Sequence, residues 1–467
     1  MSRTRKLNLL LPLLCATGAL GSGSSTIQRD VVIVGGGAAG TYTAIRLQQE
    51  GLSVPNTTTT FDYGVFFYHN ITVTTDYFSA LGVETIIAPL GGNSVATYAN
   101  LNGDAKGQTV VPPGMPWANS TAAGDALARY INLYNAQFPF LDNGFNLPDP
   151  VPEDILLSWG DFMAKYDLDP AAFDTYLVIQ FGNEMALPAI YAMKYFPSLT
   201  AEGFLGINPL ITTANFDNQG IYDKALNKLG QGEGAFLNAT ITRITRSNDG
   251  VVVVMHTPDG KATTVNAKQL VLAIPPVVAD LRAIGLDLSP EEENLFGQAS
   301  FRYYFDSVIQ NTGIPDNVTI TNIDFTQPDG IPTSDRLVFN VENPNLPDGV
   351  PGLKVLYYGS NSAISDTDAQ ADIISTLAKY RAANGLDASV EPAFVAFNNH
   401  APYELTVPVD AIRNGYYKKR NALQGCQNTW YTGAAWQAHN SATIWNFTET
   451  AVVEKVVKVL CQDGKCE

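Results

Sequence analysis

The sequence predicts an α/β protein built from a discontinuous parallel-sheet domain and an inserted α+β domain. Three observations predict it: a glycine-rich turn between a strand and a helix near the start, an apolar strand ended by two prolines in the middle, and a strand followed by a helix near the end. The strands and helices predicted for the first domain are 30–34, 41–50, 237–244, 251–256, 269–274, 429–432 and 443–460. Because these segments lie far apart, the domain is expected to be assembled from separate pieces.

A glycine-rich turn joins the first predicted strand to the first predicted helix. In the run from Gly35 to Gly40, Gly35 permits a tight turn, Gly37 lets the backbone approach phosphate groups, and Gly40 lets helix and strand pack closely. The helix N-terminus offers free N–H groups and a partial positive charge to an anion. The turn therefore predicts a Rossmann-like dinucleotide site, and a tight glycine turn without a ligand is the alternative.

One residue is a candidate for the acid that usually follows a dinucleotide turn. A second strand is expected to end in Asp or Glu about 20 residues after the glycines, where the carboxylate binds the ribose hydroxyls. By distance, residues 57–61 could be that strand and Asp62 that acid. Pro55 and a run of threonines make the segment a poor buried strand.

The remaining segments predict how two domains alternate along the chain. Residues 112–220 carry many aromatic residues interrupted by Pro and Gly and look largely helical. Residues 301–359 contain strand-like runs separated by turns, and a helix is expected over 366–385. The expected order is a leader at 1–25, dinucleotide-binding pieces at 27–111, 222–285 and 412–460, and inserted substrate-domain pieces at 112–221 and 286–411.

The composition favours a folded protein that does not bind nucleic acid. The chain has 467 residues, which suggests two or three domains, and it is 45% hydrophobic and 16% charged, which argues against disorder. Its net charge of −17 would repel a phosphate backbone. The four histidines are scattered and show no metal-binding spacing, so no metal site is expected.

The start of the chain has the features of a secretory signal peptide. Basic residues precede an apolar run from Leu7 to Leu14, and small residues follow to an expected cleavage site near Gly21. The mature protein is therefore expected to be secreted or to lie in the lumen of the secretory pathway; an uncleaved membrane anchor is the alternative. No later stretch reaches about 18 uninterrupted apolar residues, so no membrane span is expected after signal removal.

Cysteines and sequons are compatible with an oxidising compartment. Cys461 and Cys466 could close a small disulfide loop or could remain unpaired thiols. Asn-X-Ser/Thr sequons occur at Asn56, Asn70, Asn119, Asn238, Asn317 and Asn446. Because the chain is rich in these residue types, roughly four or five sequons would arise by chance, so they permit glycosylation without implying it.

Several motifs together resemble one family of enzymes. They are the glycine turn, Asp62-Tyr63-Gly64-Val65, Leu270 to Pro276 (LVLAIPP), and Tyr431-Thr432-Gly433-Ala434-Ala435-Trp436, continued by Asn440-Ser441 and Trp445-Asn446-Phe447-Thr448-Glu449. The set is similar to the flavin-containing amine oxidase superfamily, and within it to fungal FAD-dependent oxidoreductases of the β-cyclopiazonate dehydrogenase type. The resemblance covers nearly the whole mature chain, its tail block is the most specific part, and it implies FAD as the cofactor.

The resemblance implies a role for each matching residue. The residues that would hold the pyrophosphate of FAD are Gly35, Gly37, Ala39 and Gly40. The backbone of Ile241 would contact the adenine, and Gly433 and Ala434 would lie by the ribityl-phosphate end. Ile444 would offer a backbone N–H near the flavin pyrimidine edge, where a helix dipole stabilises the negative charge of reduced flavin. The residues that would pass close to the isoalloxazine are Gly64, Val65, Tyr68 and His69.

The sequence departs from the family between its first helix and the Asp62 motif. Family members have a complete second strand ending in an acidic residue, followed by an Arg-Gly-Gly-type loop that contacts the flavin phosphates. Here Val54 runs into a threonine stretch and then Asp62, so about two dozen residues are missing. This alignment makes Asp62 a later loop residue and not the ribose ligand. Two explanations stay open: the sequence has lost a segment, or the protein binds FAD weakly.

Few residues are candidates for catalysis, because flavin carries out the redox chemistry itself. His439, in the tail motif, is a candidate for acid–base work beside the flavin, and a hydrogen-bonded structural histidine is its alternative. Tyr68 is a second candidate, with a role as pocket wall as its alternative. Cys426 precedes the final strand and is expected to be structural and not a flavin attachment point. Aromatic residues in 112–220 and 301–304 could line a substrate cavity or belong to the core.

The predicted activity is FAD-dependent oxidation of a small organic substrate. A hydride would leave a carbon next to nitrogen or an allylic carbon, and the electrons would pass to oxygen or another acceptor. The resemblance suggests a secondary metabolite, oxidised with ring closure. The alternatives are a flavin amine oxidase acting on a simple amine and a degenerate flavoprotein fold without activity, since fold does not fix function.

Overall fold

The computed structural model describes residues 25–47, 63–89, 94–110, 115–232, 234–344 and 349–461. The leader through Ser24, the sequon at Asn56, the candidate acid Asp62 and the side chains of Cys461 and Cys466 lie outside the described residues.

The strands form two larger sheets and one small one. Their bounds are β1 (Ser25–Val34), β2 (Thr85–Ile87), β3 (Val95–Ala99), β4 (Ile211–Thr213), β5 (Thr240–Ser247), β6 (Gly250–His256), β7 (Ala262–Leu272), β8 (Ser300–Gln310), β9 (Val318–Asn322), β10 (Arg336–Glu342), β11 (Leu353–Ser360), β12 (Ala393–Asn399), β13 (Tyr403–Thr406) and β14 (Thr429–Tyr431).

Helices lie between and around these sheets. Their bounds are α1 (Ala38–Leu47), α2 (Thr72–Leu81), α3 (Ser120–Gln137), α4 (Trp159–Lys165), α5 (Ala172–Ile179), α6 (Ala189–Tyr195), α7 (Ser198–Phe204), α8 (Gln219–Leu229), α9 (Val278–Ala283), α10 (Pro290–Phe296), α11 (Asp366–Ala383), α12 (Val409–Arg413), α13 (Tyr416–Asn421), α14 (Ser441–Thr448) and α15 (Glu454–Cys461). A π-helical turn, Glu449–Val453, joins α14 to α15.

The first sheet is assembled from three distant parts of the chain. β1 runs parallel to β7, with Val34 opposite Leu272, and β14 runs parallel to the same end of β7, with Tyr431 opposite Leu272. β6 and then β5 pair on the first part of β7, which gives the order β1-β7-β6-β5. The last residues of β7, 270–272, are fully buried, as expected for a parallel strand covered on both faces. The predicted discontinuous α/β domain is confirmed.

Some predicted boundaries shift for local reasons. β5 begins at Thr240 instead of residue 237, because Asn238 adopts a left-handed conformation (φ +56°) that a strand cannot continue. β7 begins at Ala262, earlier than the predicted 269, because its first half alternates buried and half-buried residues while only its second half is continuously apolar. The C-terminal helix starts at Ser441 and contains the π turn, where the prediction was one helix over 443–460.

The second sheet has the order β12-β8-β11-β10-β9-β3, with β13 also paired to β8. β3 lies in 27–111, the segment expected to belong wholly to the dinucleotide-binding domain. It pairs in parallel with β9 instead, with Val95 opposite Val318. Because the two strands lie more than 200 residues apart, no local sequence pattern indicates that they pair. Apart from this strand, the domain boundaries stay predictions.

A helical region lies between residues 115 and 229, as the sequence predicts. Asn119 caps α3, its Oδ1 accepting the N–H of Ala122 at 3.2 Å, and Ser158 caps α4 through the N–H of Asp161 at 3.1 Å. The helices bury aromatic side chains such as Tyr130 in one large apolar core that also contains residues of the first sheet. This continuous core fixes the helical region on the first sheet.

A buried ion pair ties the hairpin of β5 and β6 to α10. The Arg246 guanidinium donates to both carboxylate oxygens of Glu292, at 2.7 and 2.8 Å, and its Nε donates to Asp287 at 2.7 Å. Burial would raise the pKa of Glu292, but the hydrogen bonds from Arg246 and Tyr431 lower it to about 2. Because removing one partner leaves the other charge buried, such pairs cost about 3–5 kcal/mol to break. The hairpin is thus held rigidly against the helix.

The sequence predicts neither a membrane-spanning helix nor a metal site, and the described residues bear on both predictions. Across these ranges, no helix is both long and apolar enough to cross a membrane. The same part of the chain contains no group of three or more His, Cys, Asp or Glu side chains placed to hold a metal ion.

Candidate functional site

The glycine turn is closely packed at its first and last glycines. Gly35 has φ +118°, and a Cβ on it would lie 2.7 Å from the backbone oxygen of Ala273 at the end of β7. A Cβ on Gly40 would lie 2.0 Å from the backbone oxygen of Gly35. Both positions exclude any side chain, so they fix the turn, bring α1 against the sheet, and let the helix begin at Ala38 and not at the predicted residue 41.

The middle of the turn is open. A Cβ on Gly36 or Gly37 would meet no atom within 4 Å, while the first helical bond runs from the N–H of Thr41 to Gly37 at 2.9 Å. The N–H groups at the start of α1 have no acceptor inside the helix and point beyond its N-terminus. An open cradle before a helix N-terminus fits a diphosphate, which is the group that FAD would place there.

The tail block lies directly beside this turn. Gly433, with φ +108°, is so placed that a Cβ on it would lie 4.0 Å from the Cβ of Ala39. The indole N–H of Trp445 donates to the backbone oxygen of Ala38 at 3.2 Å. Arg46 and Glu449 form a two-point ion pair at 2.8 and 2.9 Å, which joins α1 to the π turn. The structure thus brings Gly433 beside Ala39 in the glycine turn, while the roles of these residues in holding FAD stay predictions.

The turn after Gly433 is held by a buried cation. Residues Ala434–Trp436 form a short 3-10 turn. Arg420 donates to the backbone oxygen of Ala435 at 2.7 Å, and its guanidinium lies 4.3 Å from the ring of Trp436. Burial lowers the pKa of Arg420. The position of Ala434 is therefore fixed by the contacts of Arg420 with Ala435 and Trp436.

Ile444 does not offer the N–H expected of it. Its N–H donates to the backbone oxygen of Asn440 at 2.9 Å in the first turn of α14. The side chain of Asn440 accepts the N–H of Thr443 at 3.1 Å and caps the helix. The N–H groups without an acceptor inside the helix are those of Ser441 and Ala442. A flavin at this N-terminus would meet those two groups.

Ile241 lies away from the glycine turn. It sits near the start of β5, paired with Met255 of β6, and β7 and β6 separate β5 from β1. The register shifts directly after Ile241, so the backbone near Thr242 departs from regular pairing. Its role as the adenine contact stays a prediction without a supporting contact.

The segment from Gly64 to His69 runs from Asp306 on β8 to Trp445 on α14. Gly64 and Val65 are exposed, and Asn218 donates to the backbone oxygen of Val65. Tyr68 is buried, stacks on Trp445 with ring centroids 5.5 Å apart, and pairs through its backbone with Ile211. These contacts make Tyr68 a wall behind the tail block and favour that role over acid–base chemistry.

His69 faces the helical region and not an open cavity. Its Nε2 lies 2.9 Å from the hydroxyl of Thr200 at α7. Burial lowers the pKa of His69 to about 4, so the ring is neutral at physiological pH.

An aromatic cage lies where β8 and β13 meet the tail block. We define it by the rings of Tyr195, Tyr304, Tyr403 and His439. The ring centroid of Tyr403 lies 4.7 Å from Tyr304 and 3.8 Å from His439, and Tyr195 lies 6.0 Å from His439. These rings stack on one another, and such an aromatic surface suits contact with a flat, apolar substrate. That residues 301–304 line a substrate cavity stays a prediction.

Glu404 brings a carboxyl group to the cage. It adopts φ +44°, a strained conformation for a residue with a side chain, of the kind found at functional sites. Burial raises the pKa of Glu404 to about 7, although Arg302, whose Nε lies 3.0 Å away, lowers it. A carboxyl that titrates near neutral pH can exchange a proton under physiological conditions.

His439 has a structural role in this arrangement. Its Nε2 accepts the backbone N–H of Glu404 at 3.0 Å, so Nδ1 carries the proton of the neutral ring. Burial, and to a lesser extent the nearby His400, lower the pKa of His439 to about 3. The contacts favour the hydrogen-bonded structural histidine over a proton acceptor.

His400, which belongs to no recognisable sequence motif, lies beside a buried carboxylate. Its Nε2 is 2.9 Å from Oδ2 of Asp306 on β8. A Cβ on Gly64 would lie 3.0 Å from the same oxygen, so the pair adjoins the segment expected to face the flavin. The residues are far apart in sequence, and the available signal is that Asp306 lies among the large aromatic and apolar residues of β8.

Curated relatives in fungi match almost the whole chain. It is 34% identical to the FAD-dependent oxidoreductase oblC of Cochliobolus heterostrophus, over 92% of this chain and 92% of that protein. It is 33% identical to the FAD-dependent oxidoreductase dbaF of Emericella nidulans, over 93% and 92%. It is 30% identical to the β-cyclopiazonate dehydrogenase of Aspergillus oryzae, over 91% and 92%. The chain matches no protein-family model.

Solved structures share the fold. A conjugated-linoleic-acid-producing fatty acid isomerase from P. acnes superposes with a TM-score of 0.69 at 18% identity, covering 91% of this chain and 98% of that one. Putrescine oxidase bound to putrescine gives 0.60 at 16% identity, covering 93% and 100%. With the identities to the curated relatives, the chain belongs to the family of FAD-dependent oxidoreductases that includes the fungal β-cyclopiazonate dehydrogenases.

Proposed function

We propose that this enzyme oxidises a flat, nitrogen-containing secondary metabolite at a carbon next to nitrogen or at an allylic carbon. The observation that carries the proposal is the aromatic cage. On one side of it lies Asp306, which is next to Gly64, and on the other side lies the tail block, which contributes His439. FAD, when bound, accepts the hydride. The stacked rings orient the substrate and exclude water, and Glu404 is the buried polar group that a substrate N–H could meet.

Oxidation with ring closure deepens this proposal. The name of one relative, β-cyclopiazonate dehydrogenase, identifies cyclopiazonate chemistry for that protein, and 30% identity over 91% of this chain supports a related substrate class here. A rigid cage can also hold two parts of one substrate together, which lowers the entropic cost of joining them.

The substrate proposal is tested by anaerobic mixing of the FAD-loaded enzyme with a panel of compounds. The panel contains β-cyclopiazonate and other polycyclic, nitrogen-containing metabolites, with benzylamine and putrescine as simple amines. We expect the polycyclic compounds to bleach the flavin absorption at least tenfold faster, because they fill the aromatic cage. Bleaching by simple amines alone would favour an ordinary amine oxidase. A bound flavin that no panel compound bleaches would favour a degenerate enzyme.

We also propose that the protein is secreted or resides in the secretory-pathway lumen, as a glycoprotein. The basic and apolar leader supports this proposal, and the sequons at Asn70, Asn119, Asn238 and Asn317 lie on exposed residues. Intact-mass analysis of the protein from its native host should show a start near residue 22 and a loss of mass after endoglycosidase treatment. An unglycosylated chain that retains the leader would contradict it.

A further inference from the structure

A half-exposed histidine is oriented by a buried carboxylate at the edge of the aromatic cage. The side chain of His400 is 41% exposed and that of Asp306 is 4% exposed. Since a carboxylate can only accept, Nε2 of His400 carries the proton that it shares with Asp306. Nδ1 of the neutral ring is then a free acceptor, and none of the described residues forms a hydrogen bond to it.

Asp306 is itself held in place. Its Oδ1 accepts the side-chain N–H of Asn398 at 3.0 Å, and Asn398 also donates to the hydroxyl of Tyr63 at 3.0 Å. The backbone N–H of His400 donates to Tyr304 on β8 at 2.9 Å. Each atom of the pair is therefore fixed by strands β8 and β12 and by the segment beside Gly64. Preorganisation of this kind is typical of catalytic groups.

The surroundings of His400 place it beside both the substrate cage and the flavin-facing segment. Its ring centroid lies 6.2 Å from that of Tyr304, a wall of the cage. The titratable or charged groups that face the pair are Asp306 itself, Tyr63, Tyr304, Tyr403 and His439. Among these, Asp306 is the group in hydrogen-bond contact with the imidazole.

We propose that His400 is the catalytic base, which accepts a proton from the substrate through Nδ1, and that Asp306 is its positioning residue. The inference rests on the proposed function. The substrate C–H bond breaks and its electron pair leaves as hydride to FAD. The neighbouring N–H or C–H bond gives its proton to Nδ1, and its electron pair forms the new double bond or ring bond. FAD is the oxidant, and the imidazole becomes imidazolium beside the Asp306 carboxylate.

The effect of Asp306 on the pKa of His400 has the direction that a catalytic base requires. Burial alone would lower the pKa of His400, but the hydrogen bond and the negative charge of Asp306 raise it above its usual value. The base works in its neutral form, so the rate should rise with pH through this pKa and then level off. Without the Asp306 charge, the rising part of the profile should move to lower pH.

The first experiment needs no substrate. Diethyl pyrocarbonate acylates neutral imidazole, so its rate of reaction with His400, followed by mass spectrometry across pH, reports the pKa of that ring. We expect the midpoint to fall in Asp306→Asn, because the hydrogen bond and the charge of Asp306 raise the pKa of His400. His256, an exposed histidine on β6, is the internal control and should keep its midpoint. An unchanged His400 midpoint would overturn the positioning role.

The second experiment measures flavin reduction by the panel compound that bleaches the wild-type enzyme fastest, with β-cyclopiazonate tried first. We expect His400→Gln to slow reduction about 100-fold and to remove the rising part of the pH profile, with little change in substrate Kd. His256→Gln should behave as wild type. A His400→Gln enzyme with the wild-type rate and profile would overturn the inference while the proposed function stands. A wild-type flavin that is reduced by no panel compound would remove the proposed function and this inference with it.

Discussion

Gly40→Ala is expected to destabilise the protein by about 3 kcal/mol and to leave it with little bound FAD. The added methyl group would lie 2.0 Å from the backbone oxygen of Gly35, so α1 must move away from β1 and the cradle opens. Urea unfolding gives the loss of stability, and the ratio of flavin to protein absorbance in the purified variant gives the cofactor content. Native stability in this variant would show that helix and strand do not pack as described.

Gly37→Ala is the matched control, because a Cβ there meets no protein atom within 4 Å. Its unfolding free energy should stay close to that of the wild type. Its FAD affinity should still fall tenfold or more, roughly 1.4 kcal/mol, because the methyl group occupies the space through which the diphosphate approaches the backbone. Wild-type affinity in Gly37→Ala would place the diphosphate elsewhere.

Glu404→Gln is expected to change how stability depends on pH. Burial raises the pKa of the Glu404 carboxyl from its usual value of 4.5 to about 7, so folding favours the protonated form. Its contribution is fully present below the unfolded pKa and is lost as pH rises through about 7. The wild-type protein should therefore lose about 3 kcal/mol more stability than Glu404→Gln between pH 4.5 and pH 8.

Comparing the pH dependence of stability in the wild type and in Glu404→Gln isolates the contribution of the Glu404 carboxyl. Glu342, whose pKa is also raised to about 7 by burial, is present in both proteins and cancels in the difference. Urea unfolding of both proteins at several pH values measures this difference in unfolding free energy. Parallel pH dependences would mean that Glu404 is already ionised and fully paired with Arg302 in the folded protein.

The sequence predicts those features whose causes are local. Gly35 and Gly40 follow a β-branched strand, and the close approach of backbone that requires them is found in the structure. The hairpin of β5 and β6 forms as its strand pattern predicts, but the turn expected at Asp249-Gly250 lies one residue earlier, at Asn248-Asp249, because Gly250 already pairs with Ser247. The tail block reaches the glycine turn because α14 packs against α1.

The features that the sequence does not predict come from contacts between distant residues. His400 and Asp306 meet only because β12 and β8 are neighbours in the second sheet. The strain at Glu404 and the bond from its N–H to His439 depend on how β13 meets the tail block. A single sequence contains no periodicity that reports such pairs, so the tail motif points to His439 and no motif points to His400.

The departure from the family concerns the segment after α1. In the part of the chain that the structure describes, β1 has one strand neighbour, β7, and its first half is largely exposed. The acidic second strand and the Arg-Gly-Gly loop would have to come from residues 48–62, which lie outside the described ranges. Resequencing the transcript across Val54 and Pro55 distinguishes the two explanations. Recovery of the missing strand and loop would show that a segment was lost from the sequence, and an unchanged sequence would mean that the protein binds FAD with fewer contacts.

The visible absorption spectrum of the purified protein tests the central claim most directly. If the glycine turn and the tail block hold FAD, the protein should show flavin absorption, or gain it on titration with FAD, and a cage-filling substrate should bleach it without oxygen. A folded, colourless protein that takes up no added FAD would contradict the account.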